Sequence, residues 1–328
     1  MTLGVTIGKF YPFHLGHNYL ITEAKKQVDH LIVLVCHHSQ QTIAGSIRSQ
    51  WIKYLHPDVE VIEVIDDLPE SPEPWAKRTL EILKPNKPDI AFTSETYGKP
   101  WAELMGCQHQ TIDLQRVKFP ISGTLLRSNL YKYWQMLTPP AKAYFAKRIC
   151  VLGVESSGTT TLAQALAQYY QTVWIPEYGR YYWEGRRSIP YPTKWDTYEF
   201  LEIVKGQLQL ENALAIKANR IIISDTDALA TYIWHRRYLG EDSKEVEAIA
   251  DSHDYSLYLL TEPDFGFIQD GTRESENLRS TMHGWFIDVL KQKNKPYHII
   301  GGSHESRMLK AVKLIDSLLD IEHNFNWL

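Results

Sequence analysis

Short, continuous apolar runs recur along this chain, and each is followed by a stretch whose apolar positions repeat at helical spacing. Leu31-Ile32-Val33-Leu34-Val35 contains no polar residue, the pattern of a strand buried on both faces of a parallel sheet. Val5-Thr6-Ile7, Val59 to Ile65 and Asp89 to Thr93 read as further strands; Leu15 to Gln27, Ile47 to Leu55 and Trp75 to Leu83 read as helices between them. Such alternation predicts a doubly wound α/β domain, closed by a helix over Ser122 to Leu130. Thr138-Pro139-Pro140 interrupts the pattern, since proline lacks the amide hydrogen and restricts the residue before it. A second cycle follows, with strands at Ile149-Cys150-Val151-Leu152, Ile221-Ile222-Ile223, Tyr255 to Leu260 and Tyr297 to Ile300. Its helices are expected over Thr160 to Tyr170, Trp195 to Asn219, Ala228 to Arg237 and Ser303 to Leu319. The expectation is two parallel-sheet α/β domains, residues 1–140 and 147–328.

Composition narrows the class. A chain of 328 residues suits two domains of roughly 150 each. The net charge of −4 gives no basic field for nucleic acid or a membrane surface. No apolar run approaches the roughly 20 residues that span a bilayer, and Met1 to Ile7 lacks the features of a signal peptide. Cys36, Cys107 and Cys150 are scattered and form no CxxC or Cys/His cluster, so reduced buried thiols in a cytoplasmic protein are expected rather than zinc. The oligomeric state is left open, a homo-oligomer included.

The chemistry lies in two glycine-containing loops. Gly8-Lys9-Phe10-Tyr11-Pro12-Phe13-His14-Leu15-Gly16-His17 sits between the first strand and helix, at the sheet edge where open α/β folds bind ligands. The helix N-terminus offers free N–H groups suited to phosphate, and His14 and His17 are one turn apart. Gly16 is expected to let a nucleotide approach the backbone. The pattern G-x-F-x-P-x-H-x-G-H resembles the nucleotidyltransferase superfamily. Its second signature also appears, as Ile121-Ser122-Gly123-Thr124-Leu125-Leu126-Arg127. The resemblance implies a Rossmann-like domain in which an acceptor phosphate attacks the α-phosphate of ATP. His14 and His17 would contact phosphates, Ser122, Thr124 and Arg127 would hold the β- and γ-phosphates, Gly8, Phe10 and Gly16 would shape the ATP site, and Lys9 would add charge.

Gly153-Val154-Glu155-Ser156-Ser157-Gly158-Thr159-Thr160-Thr161 follows the first strand of the second cycle. It has the form of a P-loop, except that Thr159 stands where G-x-x-x-x-G-K-[ST] has lysine. The loop amides would cradle phosphates, Thr160 would ligate Mg²⁺, and the strand ending at Asp225 has the form of a metal-binding Walker B segment. Asp227 and Asp225 each also fit as the N-cap of the next helix. Loss of the lysine removes about 1.5–4 kcal/mol of phosphate stabilisation, a slowdown of roughly tenfold to a thousandfold. Arg273, in Gln269-Asp270-Gly271-Thr272-Arg273, is the first candidate replacement, followed by Arg180, Arg186 and Arg187.

Thr93-Ser94-Glu95-Thr96-Tyr97-Gly98, Glu177-Tyr178-Gly179-Arg180 and Asp225-Thr226-Asp227 complete an end-to-end likeness. The chain resembles the NadR-like family, in which a nicotinamide-nucleotide adenylyltransferase is fused to a P-loop ribosylnicotinamide kinase. That resemblance implies synthesis of NAD from nicotinamide mononucleotide and ATP, and of the mononucleotide from nicotinamide riboside, both with Mg²⁺. Glu177 and Arg180 would contact the riboside, with Tyr178, Asp227 and Trp174 beside it. Glu177, Asp225 or Asp227 would orient or deprotonate its 5′-hydroxyl. Trp174, Tyr178, Tyr181 and Tyr182 fit either nicotinamide stacking or core packing, as do Trp75 and Trp101 in the first domain. The first motif begins at Gly8, so no DNA-binding module and no nucleic-acid partner are expected. Two other readings stay open. In one, the second domain is a silent nucleotide sensor; in the other, the first domain adenylylates a different phosphate ester, such as phosphopantetheine or FMN.

Overall fold

A computed structural model describes residues 1–188, 194–264 and 276–320. Their contacts divide into two compact units, the first ending at Ala141 and the second beginning at Lys142. No described helix is long and apolar enough to cross a membrane, and all three cysteines are unpaired.

In the first unit five strands, β1 (Leu3–Gly8), β2 (His30–His37), β3 (Glu60–Ile65), β4 (Ile90–Thr93) and β5 (Gln108–Thr111), form one sheet in the order β3-β2-β1-β4-β5. Every pairing is parallel. The intervening helices are α1 (Leu15–Lys25), α2 (Gly45–Leu55), α3 (Pro72–Leu83), α4 (Gly98–Met105) and α5 (Gly123–Ser128). Strand order reverses beside β1, whose neighbours are β2 and β4. The loops after Gly8 and Thr93 therefore open at a topological switch point, where such sheets bind ligands. The apolar run of β2 is fully buried from Leu31 to Cys36. β5 carries Gln108-His109-Gln110-Thr111 at the sheet edge, and that polar composition hides it from an apolar pattern. The prolines at 139 and 140 do not break a helix but begin one, α6 (Pro139–Phe145), because first-turn amides need no intrahelical acceptor.

The second unit repeats the architecture with β6 (Lys147–Gly153), β7 (Trp174–Ile175), β8 (Ile221–Asp225), β9 (Leu257–Thr261) and β10 (Tyr297–Ile300), in the parallel order β10-β9-β6-β8-β7. Its helices are α7 (Thr159–Tyr169), α8 (Tyr178–Arg187), α9 (Thr197–Ala215), α10 (Ala228–Leu239), α11 (Lys244–Asp251), α12 (Glu276–Gln292) and α13 (His304–Leu319). Alternate residues of β6 serve opposite faces, as the strand period requires. Ile149 and Val151 pack with Leu162, Leu166 and Ile315, while Cys150 and Leu152 pack with Ile233 and Phe286. α9 starts where Asp196 and Glu199 form a reciprocal capping box, which satisfies two otherwise orphaned donors.

Gly98 locks α4 against the first sheet. A Cβ there would overlap the Thr93 hydroxyl and the His109 ring, which are themselves hydrogen-bonded at 2.9 Å. Gly98→Ala is expected to lower the stability of the first unit by about 1–3 kcal/mol through overpacking, seen as a reduced urea midpoint at unchanged slope.

Candidate active sites

In the first unit the two signatures meet. Arg127, from α5, donates to the Tyr11 carbonyl at 2.6 Å and to the Thr124 hydroxyl at 3.1 Å. A Cβ on Gly123 would come within 2.8 Å of that same carbonyl, so glycine permits the close approach of the two loops. Ser122 caps α5 by accepting from the Leu125 amide at 3.1 Å. Together these segments wall a cavity of about 580 Å³ that also takes in Gly8, Lys9, Phe10 and His17.

The two histidines do different things. His14 is the N-cap of α1: its Nδ1 accepts from the amides of Gly16 and His17 at 3.1 and 3.3 Å. Its ring stacks on that of His17 at 3.6 Å. His17 lines the cavity, whereas His14 sits behind it, 4% exposed, with Nε2 buried and unpartnered. The expectation that both face the pocket is corrected in that respect. A Cβ on Gly16 would lie 3.1 Å from the His14 ring, so the capping imidazole also approaches its backbone closely. Lys9 is paired with Asp66 at 3.3 Å, and Phe10 sits edge-on to His17 at 5.0 Å.

Arg116 escaped sequence reasoning. It follows β5 in a loop, has a positive φ of 51° and pairs with Glu95 at 2.6 Å, and it lines the same cavity. A single arginine in a loop carries no motif. Trp101 also lines this cavity, and its buried indole N–H has no partner, whereas the Trp75 indole donates to the Pro69 carbonyl at 3.1 Å.

Burial, together with the charges of Arg116 and Arg127, drives the His17 imidazole down to about 3. Burial, the His17 ring and the same arginines hold His14 well below 6.5. Both are neutral at pH 7 without ligand, and the cavity wall carries Lys9, Arg116 and Arg127 alongside Asp66, Glu70 and Glu95. Unfolding takes up protons between about pH 3 and 6.5, the folded and ordinary values for His17. The stability of the first unit therefore falls as pH drops through that window. His17→Gln is expected to flatten that fall, measured as denaturation midpoints from pH 7.5 to 5. A bound phosphate acts in the opposite direction, since an adjacent anion favours the imidazolium.

In the second unit the glycine loop leaves β6 at Gly153, with Ser156 and Gly158 at φ 61° and 84°. Ser157 is locked beneath it, its hydroxyl 2.6 Å from both the Val154 carbonyl and the Thr261 hydroxyl. α7 begins at Thr159. The Thr159 and Thr160 hydroxyls favour the charged form of the Asp225 carboxyl, while Thr161 is exposed. Asp225 ends β8, in register with Val151 of β6. It is 1% exposed, with one carboxylate oxygen buried and unpartnered. β7 pairs with β8 and delivers Glu177 and α8 to the same edge. Burial, Asp225 and Glu155 raise Glu177 to about 7 against the pull of Arg180. Burial raises Asp225 to about 6, against the two threonine hydroxyls and Arg180. Glu155, Glu177, Asp225 and Arg180 thus form one electrostatic group around the loop.

Other candidates fall outside that group. Asp227 is 2% exposed, and its two oxygens accept from the Ala230 amide and the Tyr258 hydroxyl at 2.9 Å each. It is the cap of α10, which corrects its placement beside the riboside. Arg186 is held by Glu199 at 2.7 Å and stacks on Trp195 at 4.3 Å, and Arg187 lies over Trp183 at 4.6 Å. Tyr178 packs where Gly206 leaves room on α9, and Trp174 packs against the core. Arg273 lies outside the described residues.

A hard divalent cation fits the loop. The unpartnered Asp225 oxygen beside the Thr160 hydroxyl is an oxygen donor pair of the kind Mg²⁺ uses alongside phosphate and water. Among the described residues no three His, Cys, Asp or Glu side chains make a metal cage.

Comparison with known proteins bears on both units. The family model described as cytidylyltransferase-like matches residues 5–129, and one described as an AAA domain matches residues 148–307. The trifunctional NAD biosynthesis/regulator protein NadR of Escherichia coli is 28% identical over 97% of this chain and 83% of its own length; its Salmonella typhimurium counterpart matches equally. A solved NadR in complex with NR superposes with a TM-score of 0.76 at 20% identity, covering 98% of this chain and 97% of that one. Another, in complex with NAD and AMP-PNP, gives 0.72 at 21%, covering 98% of each. The similarity of this chain to NadR proteins thus runs through both units in one order, in sequence and in fold.

Proposed function

We propose that the first unit transfers AMP from ATP to nicotinamide mononucleotide, and that the second phosphorylates nicotinamide riboside with ATP. The observation that carries the first assignment is the junction of the two signatures through Arg127 and Tyr11, which gathers cationic and hydroxyl donors around one cavity. The NadR relatives are named for NAD biosynthesis, and their solved structures held NR, NAD and AMP-PNP, which supports nicotinamide ligands and ATP for this chain.

In adenylyl transfer an acceptor phosphate oxygen bonds to the α-phosphorus, the bond to the bridging oxygen breaks, and pyrophosphate leaves. His17, Arg127 and Arg116 stabilise the charge that builds on the phosphoryl oxygens. The neutral, buried imidazole of His17 donates a hydrogen bond without first losing water, and such preorganisation is the main source of catalysis in a site of this kind. In the second unit Glu177 is the carboxylate suited to accept the 5′-hydroxyl proton, since a base titrating near 7 matches the working pH. Asp225 and Thr160 would hold Mg²⁺, which when bound screens the phosphate charge. Three unpaired cysteines suit a reducing compartment such as the cytoplasm.

The test of the first assignment is pyrophosphate release by purified protein offered Mg²⁺-ATP with nicotinamide mononucleotide, phosphopantetheine or FMN in turn. Release with the mononucleotide alone, together with NAD, is expected. Preference for another acceptor overturns the assignment.

A further inference from the structure

Arg48 is fully buried in the first turn of α2, and the adenylyl-transfer chemistry leaves it without a task. Its guanidinium donates to neutral acceptors: the Lys9 carbonyl, the Cys36 carbonyl at 3.0 Å, the Gln41 side-chain oxygen at 2.5 Å and, more weakly, the Ala44 carbonyl at 3.4 Å. Glu63 and Asp66 bear on its charge, but neither pairs with it. Burying a charge without an opposite partner is costly. The position therefore calls for what a guanidinium supplies, a rigid fork that ties several acceptors together at once. What it ties down is the loop of the first signature. Lys9 and Tyr11 flank Phe10, whose φ of 47° lies in the left-handed region, where a non-glycine residue stays only if its surroundings hold it. Arg48 grips both sides of Phe10: it takes the Lys9 carbonyl, and it lies over the Tyr11 ring, 5.3 Å from the centre. Arg127 meets that same ring at 5.5 Å, and the Tyr11 carbonyl fixes its guanidinium at 2.6 Å. With a second nitrogen on Thr124, the Nε of Arg127 is left buried and unpartnered, on a side chain that lines the cavity.

We propose that Arg48 is a positioning residue for adenylyl transfer: it fixes the loop from Lys9 to Tyr11 in the form that lets the Tyr11 carbonyl aim Arg127 at the phosphates of ATP. Arg48 does not itself line the cavity, so it acts through Tyr11 and touches no reacting atom. Burial lowers its guanidinium only to about 10, so the charge and all its donors persist at pH 7. The far end of Tyr11 is anchored as well, its hydroxyl oxygen accepting from the Thr42 amide at 3.1 Å. Held at the ring, the hydroxyl and the flanking Lys9 carbonyl, Tyr11 presents its own carbonyl in one place. Arg127 is thereby set before ATP arrives, and a donor oriented in advance costs no reorganisation as charge builds on the transferring group.

This inference rests on the adenylyl-transfer reading of the first unit, and the experiment separates the two. NAD formation from nicotinamide mononucleotide and Mg²⁺-ATP is measured for wild type, Arg48→Met, Arg127→Met and the double variant, with a urea titration of each to follow folding. Arg127→Met is expected to lower kcat by about a hundredfold to a thousandfold, as for the loss of one preorganised donor. Arg48→Met is expected to lower it by about tenfold to a hundredfold, the scale of a misplacement of about 1 Å. In the double variant the Arg48 substitution is expected to cost nothing further, because residues that act through one another are not additive. A merely structural arginine would add its own loss to that of Arg127. Arg48→Lys keeps the charge and part of the donor set, and it serves should the methionine variant fail to fold. It is expected to lose about tenfold alone and nothing more in the Arg127→Met background. Full activity in either Arg48 variant overturns the inference and leaves the adenylyl-transfer reading standing. Losses that multiply in the double variant overturn it too. A wild type that makes no NAD removes the adenylyl-transfer reading and the inference with it.

Discussion

Asp225→Asn is expected to lower riboside phosphorylation by about a thousandfold while adenylyl transfer continues at its normal rate. The factor corresponds to about 4 kcal/mol of transition-state stabilisation at 1.36 kcal/mol per decade. Asparagine preserves the shape of the side chain and one carbonyl oxygen, but it removes the negative charge a divalent cation needs. The carboxylate is nearly dehydrated, with one oxygen unpartnered, and burial has raised it to about 6. Such a group costs stability in the absence of a cation, because an uncompensated buried charge is unfavourable. The denaturation midpoint of the second unit is therefore expected to hold or rise as activity disappears. An Asp225→Asn protein that is less stable, or one that keeps its kinase activity, would remove Asp225 from the metal site. Because the two reactions belong to separate units, each activity is the internal control for the other.

His17→Ala is expected to reduce adenylyl transfer by about a hundredfold to a thousandfold, the range for deleting one preorganised oxyanion donor. Most of the effect should fall on kcat, since charge on the transferring phosphoryl group peaks in the transition state. His14→Ala should act differently. It removes the cap of α1, which accepts from two amides, so its first consequence is a destabilised helix start, typically about 1 kcal/mol. Steady-state kinetics and a urea titration on the two variants separate the roles. Equal losses of kcat without loss of stability would return His14 to the phosphate-binding wall.

The apolar runs made most of the sheets legible. β1, β2, β3 and β4 announce themselves because a parallel strand covered on both faces has little room for polar residues. The same physics hides β5, whose Gln108-His109-Gln110-Thr111 run lies at an edge, and β7, only two residues long. α8 has no buried residue, so no apolar stripe marked it, and α11 is short. In the sites, motif spacing identified the loops but not the division of labour within them. His14 and His17 look equivalent one turn apart; only the backbone shows that one caps α1 while the other lines the cavity. Asp225 and Asp227 look equivalent two residues apart, yet the strand period and the start of α10 send them to different partners. Arg116 belongs to no motif and reaches its cavity only through the tertiary fold.

The central claim is that one chain carries both reactions, and it is tested most directly by supplying nicotinamide riboside and Mg²⁺-ATP alone to the purified protein and following the nucleotides over time. The account predicts that the mononucleotide appears first and NAD after it, with one ADP and one pyrophosphate released per NAD formed. Riboside left unchanged, in a sample that makes NAD readily from added mononucleotide, would contradict it and leave the second unit without the activity assigned to it.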